Sequence, residues 1–210
     1  MGLPMTIEMA KKARELSATG KNVISLSLGE PDFDTPEFIK DAASQAMVEN
    51  YTHYMPVPGF SDVRESIAAK FKRDNGIEYT AEQIVISTGA KQSLLNIFLA
   101  LVNPGEEVII PAPYWVSYMD QAVYCGAEVK VLPTTMESGF KITADELESA
   151  ITPKSKVLIF SSPNNPCGAI YSKEELARSE RDKKHRYIPL AARFAFFSIA
   201  LNSARRGRYA

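Results

Sequence analysis

At 210 residues, with 45% hydrophobic and 23% charged side chains, the chain has the composition of an ordinary globular protein with one real core. A net charge of −1 advertises neither nucleic acid nor a basic partner, and two isolated cysteines, Cys125 and Cys167, fit neither a metal site nor a disulfide framework. The apolar stretch 188–201 is cut by Arg193 and falls short of the roughly 20 residues of a membrane span, and the first ten residues lack a signal-like apolar run, so a cytoplasmic protein away from membranes is expected.

Ile7, Ala10, Ala13 and Leu16 recur at helical spacing over residues 4–19, and Gly20 follows as a stop. Residues 22–28 read as a short strand running into the turn-forming segment 29–36, and 37–49 returns to helical spacing. Residues 51–59 form a loop, and Ser61 is expected to cap a helix ending near Asn75. Extended and helical segments then alternate: 83–87 extended, 91–102 helical, 107–110 extended, 116–124 helical, 128–132 extended. Thr143 with Glu146 and Ser172 with Glu175 form two capping boxes, each opening a helix on either side of the apolar run 157–160. Strands that are apolar throughout and alternate with helices predict an α/β fold, a mainly parallel sheet buried between helices. Ligands then belong at the carboxyl ends of the strands.

The rhythm breaks after Arg178. Residues 181–210 carry eight Lys or Arg against one acid, a net +7, which leaves −8 on residues 1–180. Pro189 interrupts any helix, and no strand is expected to follow the helix opened by Ser172. Two explanations fit this tail: an unusual extension, or a frameshift that replaced the authentic continuation, which is favoured. Such a break would leave the sheet edge and helix-facing surfaces after 157–160 uncovered.

Three loops leave predicted strand ends. Ser87-Thr88-Gly89-Ala90-Lys91-Gln92 brings a strand into a helix through glycine, so backbone amides and the positive helix end converge as they do around phosphate; small residues there serve close packing equally well. Pro111-Ala112-Pro113-Tyr114-Trp115 carries the single tryptophan, whose face suits a flat ring or simple packing. Ser162-Pro163-Asn164-Asn165-Pro166-Cys167-Gly168 places two asparagines in a proline-bounded turn, where they shape backbone or donate to a ring oxygen.

In order, Leu28-Gly29-Glu30-Pro31-Asp32-Phe33, Tyr54 with Pro58-Gly59, Thr88 to Gln92, Pro113-Tyr114-Trp115 and the 162–168 turn resemble class I pyridoxal-phosphate-dependent aminotransferases of fold type I, in the aspartate/prephenate aminotransferase branch. The resemblance covers roughly residues 1–178. It implies a partial fold type I large domain: 1–45 as an N-terminal segment with part of the small domain and the substrate loop, 46–178 as the partial cofactor-binding domain, and 179–210 as a divergent basic tail. The implied cofactor is pyridoxal 5'-phosphate, the partners an amino acid, a 2-oxo acid and a second copy of the chain. Gly29 would sit by the substrate carboxylate, and Tyr54 would reach the cofactor phosphate of the neighbouring subunit. Gly89, Ala90 and Lys91 would hold the phosphate in their own subunit. Trp115 would stack on the pyridine ring, Asn165 would donate to its 3-oxygen, and both would border the substrate. Lys91 would also grip a distal substrate carboxylate, against the plainer reading of a solvated lysine at a helix start.

Cys167 stands where the family carries threonine; it is small enough to keep the turn and is not read as a nucleophile. His53 reads as loop structure. Transamination also needs a Schiff-base lysine and a carboxylate on the ring nitrogen, which the family supplies later as Ser-x-Ser-Lys and Asp-x-x-Tyr. Neither motif occurs here, so no catalytic residue is assigned and the chain as given is expected to be inactive. Two alternatives stand beside a transaminase: a non-catalytic fragment or pseudoenzyme that associates with a full-length homologue, and a lyase or synthase of the same fold.

Overall fold

The computed structural model describes residues 5–25, 29, 33–180 and 188–192, and falls into two units, residues 1–85 and 86–210. The first unit is helical: α1 (Met5–Ala18), α2 (Glu37–Val48) and α3 (Ser61–Asn75), followed by a 3-10 turn at Ala81–Gln83. Gly20 ends the α1 turn at φ +82°, and Gly76 closes α3 at φ +68°, its amide and that of Ile77 bonding back to the Lys72 and Phe71 carbonyls. Ser61 does not cap α3: it is the first helical residue, and Phe60 precedes it in extended conformation with no side-chain bond. Arg64 ties the unit together, donating to the Gly59 and Ala81 carbonyls at 3.2 and 2.8 Å.

Neither strand predicted in this part forms among the described residues. Residues 21–25 have no regular structure, and 26–28 lie outside the described residues. Residues 83–87 begin in the 3-10 turn, and although Ile84 is extended (φ −114°, ψ 130°), 84–87 joins no sheet among the described residues. An alternating pattern specifies extended backbone, whereas a strand also needs a neighbour for its N–H and C=O groups.

The second unit contains α4 (Gly89–Leu101), β1 (Glu107–Pro111), α5 (Ser117–Tyr124), β2 (Glu128–Leu132), α6 (Ala144–Ala150), β3 (Ser155–Ser161), α7 (Lys173–Glu180) and β4 (Ile188–Ala192). The strands form one parallel sheet in the order β2-β1-β3-β4. Alternation along the central strands divides the core. Val108, Ile110, Val157 and Ile159 face α4 and α5, where they pack with Leu94, Ile97, Phe98, Tyr118 and Ala122. Ile109 and Leu158 face the other way, onto Leu147 and Ala150 of α6. The sheet is therefore buried between helices, as its uninterrupted apolar runs require.

The expectation that no strand follows α7 is corrected by β4, which pairs with β3 from Val157↔Ile188 to Ser161↔Ala192. Pro189 is compatible with this place because β4 is an edge strand, where one missing ladder donor is tolerated. The 157–160 run consequently lies inside the sheet and not at its rim.

Both capping boxes form. Thr143 N donates to Glu146 Oε2 at 2.7 Å while Glu146 N donates to Thr143 Oγ1 at 3.2 Å, and Ser172 and Glu175 exchange the equivalent pair at 2.7 and 3.2 Å. At the other end of the sheet, Glu107 Oε2 accepts from Thr152 and Ser155 hydroxyls at 2.7 and 2.8 Å, bridging the start of β1 to the turn before β3. The Thr152 bond first, joined by Ser155 and the nearby Lys130 and Lys154, holds this carboxyl below the usual glutamate range despite partial burial.

Two outcomes follow. Thr143→Ala removes one cap and should lower the stability of the chain by about 1 kcal/mol, against about 3–5 kcal/mol for Phe98→Ala in the larger core, both measured by denaturant unfolding; equal losses would contradict this division of roles. The lowered Glu107 pKa means its contribution is complete above the ordinary glutamate value and is lost as pH falls through the depressed one. Glu107→Gln should accordingly flatten the acid side of the stability curve, and an unchanged acid limb would show that these hydroxyl bonds do not favour the carboxylate.

Candidate active site

Because β1 and β3 are parallel neighbours, the loops leaving their carboxyl ends emerge at one edge, and the amino end of α4 belongs to the same unit. Gly89 begins α4 at φ +77°, with no atom within 4 Å of where a Cβ would stand. Its amide bonds the Ser87 carbonyl at 2.8 Å and the Thr88 amide is taken by Gln92 Oε1 at 2.5 Å. A helix leaves its first amides without intrahelical acceptors, so those of Ala90 and Lys91 are what this end can offer an anion. Gln121, buried in α5, donates to the Lys91 carbonyl at 2.8 Å and fixes this first turn against the neighbouring helix.

Lys91 extends toward the second loop, its Nζ 5.2 Å from the centroid of the Trp115 ring, within cation–π range. Trp115 in turn meets Tyr118 edge to face, with centroids 5.6 Å apart and planes at 89°. Tyr118 is fully buried and hydrogen-bonded to Ser161 at the end of β3; burial pushes its phenol pKa up, and the Ser161 bond opposes this. The Ser161 hydroxyl also accepts from the Asn165 amide at 3.0 Å. In the third loop, Asn164 Nδ2 donates across to the Pro113 carbonyl at 3.1 Å. The β1 exit is held from its other side by β2: Ala112 N donates to the Leu132 carbonyl at 2.8 Å, and the Thr134 hydroxyl donates to the Ala112 carbonyl.

Lys91 and Trp115 are thus in contact, and the loops of Trp115 and Asn165 are bonded to one another. Asn165 is half-buried, and its side-chain amide has no partner among the described residues, whereas the side chain of Asn164 is engaged within the loops. Gly29 and Tyr54 belong to the first unit; Tyr54 is fully exposed, and beside it Glu49, Asn50, Tyr51, His53 and Phe60 line an open pocket of about 260 Å³. The sequence alone assigned no role to Tyr118, Ser161 or Gln121, and none to Asn164 beyond shaping its turn or donating to a ring oxygen. Polar residues at an otherwise apolar strand end or helix face were the only signal.

This arrangement joins a helix start with two free backbone amides, an aromatic face and an unengaged amide at the carboxyl edge of a parallel sheet, the edge at which ligands of open α/β sheets bind. The family model of class I and II aminotransferases matches residues 21–191, and the chain belongs to that family. A probable aspartate/prephenate aminotransferase of Rhizobium leguminosarum bv. phaseoli is 53% identical over 171 residues, covering 81% of this chain and 43% of that relative. The aspartate/prephenate aminotransferase of Cereibacter sphaeroides is 51% identical over 172 residues, with 82% and 43% covered. The chain therefore spans less than half the length of these relatives. Among solved structures, the aspartate aminotransferase of Thermus thermophilus with maleate superposes with a TM-score of 0.87 at 40% identity, over 92% of this chain and 51% of that one. The aspartate aminotransferase of Thermotoga maritima gives 0.86 at 35% identity, over 91% and 51%.

Gly89→Ala has space for its methyl group but not the backbone freedom, so it should cost roughly 1–2 kcal/mol in unfolding free energy without a steric clash. A variant as stable as the parent would contradict the left-handed turn ahead of α4.

Proposed function

We propose that this chain supplies the cofactor cradle of a pyridoxal 5'-phosphate-dependent transamination between an acidic amino acid and a 2-oxo acid. The observation that carries the reading is the contact of Lys91 with the ring of Trp115 at the start of α4, on a chain of the aminotransferase family. When bound, the cofactor acts as an electron sink for the bond broken at the substrate α-carbon.

The residues present fit such a group. Gly89 leaves open space, and the Ala90 and Lys91 amides at the positive end of a 13-residue helix suit a phosphate. Trp115 offers a ring face, and Asn165 an amide that would donate to the ring's 3-oxygen and favour its ionised form. The ammonium of Lys91 would then meet a distal carboxylate of the substrate. That assignment draws support from the Thermus thermophilus relative, whose structure holds maleate, a dicarboxylate. Gly29 would lie by the substrate's α-carboxylate.

Tyr54 would act from a second copy of the chain upon its phosphate, as the family resemblance implies. Its full exposure supports an acceptor outside its own unit, and exposed Phe33, Phe38, Met47 and Val57 in the same unit are apolar surface of the kind a partner covers. Within this reading, residues 1–45 contribute the substrate loop, 46–178 the cofactor-binding domain and 179–210 a basic tail. The covalent lysine and the ring-nitrogen carboxylate are assigned to none of these 210 residues, since neither family motif occurs in the sequence.

Pyridoxal phosphate added to the purified chain should quench the single tryptophan, Trp115, saturably, with inorganic phosphate competing. Quenching no greater than that of free tryptophan at matched absorbance would overturn the cradle. Borohydride treatment of the loaded chain should leave no stoichiometric adduct at one lysine by mass spectrometry; such an adduct would overturn the statement that no anchoring lysine is present.

A further inference from the structure

We infer that Asn164 is a positioning residue, a clamp that seats the Trp115 loop against the Asn165 loop, and that the residue at 167 sets the clamp's orientation. The geometry of the amide is determined from both sides. The Cys167 backbone N–H, 3.2 Å from Asn164 Oδ1, can only donate, and the Pro113 carbonyl, 3.1 Å from Nδ2, can only accept. A flipped amide would set donor against donor and acceptor against acceptor. The Cys167 thiol, 3.0 Å from the same Oδ1, adds a second donor to the acceptor end.

The backbone of Asn164 is equally committed: its amide donates to the Ala169 carbonyl at 2.8 Å, and its carbonyl accepts from Gly168 at 2.9 Å. With backbone and side chain engaged inside the loops, Asn164 is not available to a ligand, in contrast to the adjacent Asn165. Its one bond that leaves the turn crosses 51 residues of sequence to reach Pro113, two positions before Trp115. Beside it, the Ser161 hydroxyl bonds both Tyr118 of α5 and the Asn165 amide, tying the third loop to the helix that follows the Trp115 loop. Because each loop has a separate strand as its base, these ties fix the distance between the aromatic face and the Asn165 amide. Position 167 therefore requires a small side chain with a donor, which cysteine provides here and threonine or serine would also provide.

Assigning Trp115 and Asn165 to a cofactor rests on the proposed function; the coupling of their loops does not, and it can be read without any cofactor. Trp115 is the only tryptophan in the chain, so its emission and its quenching by acrylamide report the seating of its loop directly. Asn164→Asp keeps the acceptor toward Cys167 and places an oxygen against the Pro113 carbonyl; Asn164→Leu removes both bonds at similar volume. Loss of one such bond shifts a local equilibrium by roughly fivefold, so both variants should show red-shifted emission and an acrylamide quenching constant raised about twofold, with unchanged far-ultraviolet circular dichroism. Cys167→Thr should match the parent chain, and Cys167→Val should resemble the Asn164 variants in part. Parent-like quenching in folded Asn164→Asp and Asn164→Leu would overturn the clamp. Loss of secondary structure in both would also overturn it, by making Asn164 a requirement for folding rather than for loop placement.

Discussion

Parallel pairing of β1 with β3 is the constraint on which the rest of the second unit depends. Parallel strands send all their carboxyl ends to one edge, and each must be joined to the next by a crossover that lies on a sheet face. The crossovers α5 and α6 lie on opposite faces, α5 with α4 burying Val108, Ile110, Val157 and Ile159, and α6 burying Ile109 and Leu158. The same pairing brings the exit loop of β1 beside that of β3, near enough for Asn164 to reach Pro113. The core and the site are consequences of one register.

The chemistry of the edge follows from what each loop can spare. The Gln92 side chain takes the amide of Thr88 and the Ser87 carbonyl that of Gly89, leaving the next two at the start of α4. Lys91 places its ammonium over the Trp115 ring, within cation–π range. In the proposed function, this ammonium and the amide on the opposite loop would serve a phosphate at one end, a planar ring in the middle and a carboxylate beyond it. The family match and the two long structural alignments are with aminotransferases.

Much of this was legible in the sequence, and the limits are physical. Helix ends were readable because capping is local: Thr143 and Glu146, or Gly20, act within a few residues of the turn they close. Ser61 was misread because a serine before a helical run also serves as its first residue. The central strands were readable from uninterrupted apolar runs, but β4 was not. Its proline and basic flanks carry no periodic signal, and its place is decided by β3, some thirty residues earlier in the chain. Residues 84–87 show the converse, an extended pattern without a sheet partner. At the site, the loops bearing Trp115 and Asn165 could be found from turn chemistry at strand ends, and that of Gly89 from a glycine ahead of a helix, although no strand precedes it among the described residues. The bond between Asn164 and Pro113 could not, since sequence gives no distance between residues 51 positions apart.

The two units bury apolar surface very unequally. In the second unit β1 and β3 are sealed on both faces, whereas in the first unit Ala10 and Ile84 are the buried apolar side chains among the described residues, and α2 and α3 bury none. Opening a helix that hides little apolar surface exposes little of it to water, so its backbone bonds break at low free energy. Amide hydrogens of α2 and α3 are accordingly the ones to exchange early with deuterated solvent, while those of β1 and β3 wait for global unfolding. A protease sampling the same fluctuations meets Lys40, Lys70 and Lys72 before any residue of the sheet, and the natural remedy for such a surface is a second body that keeps it dry.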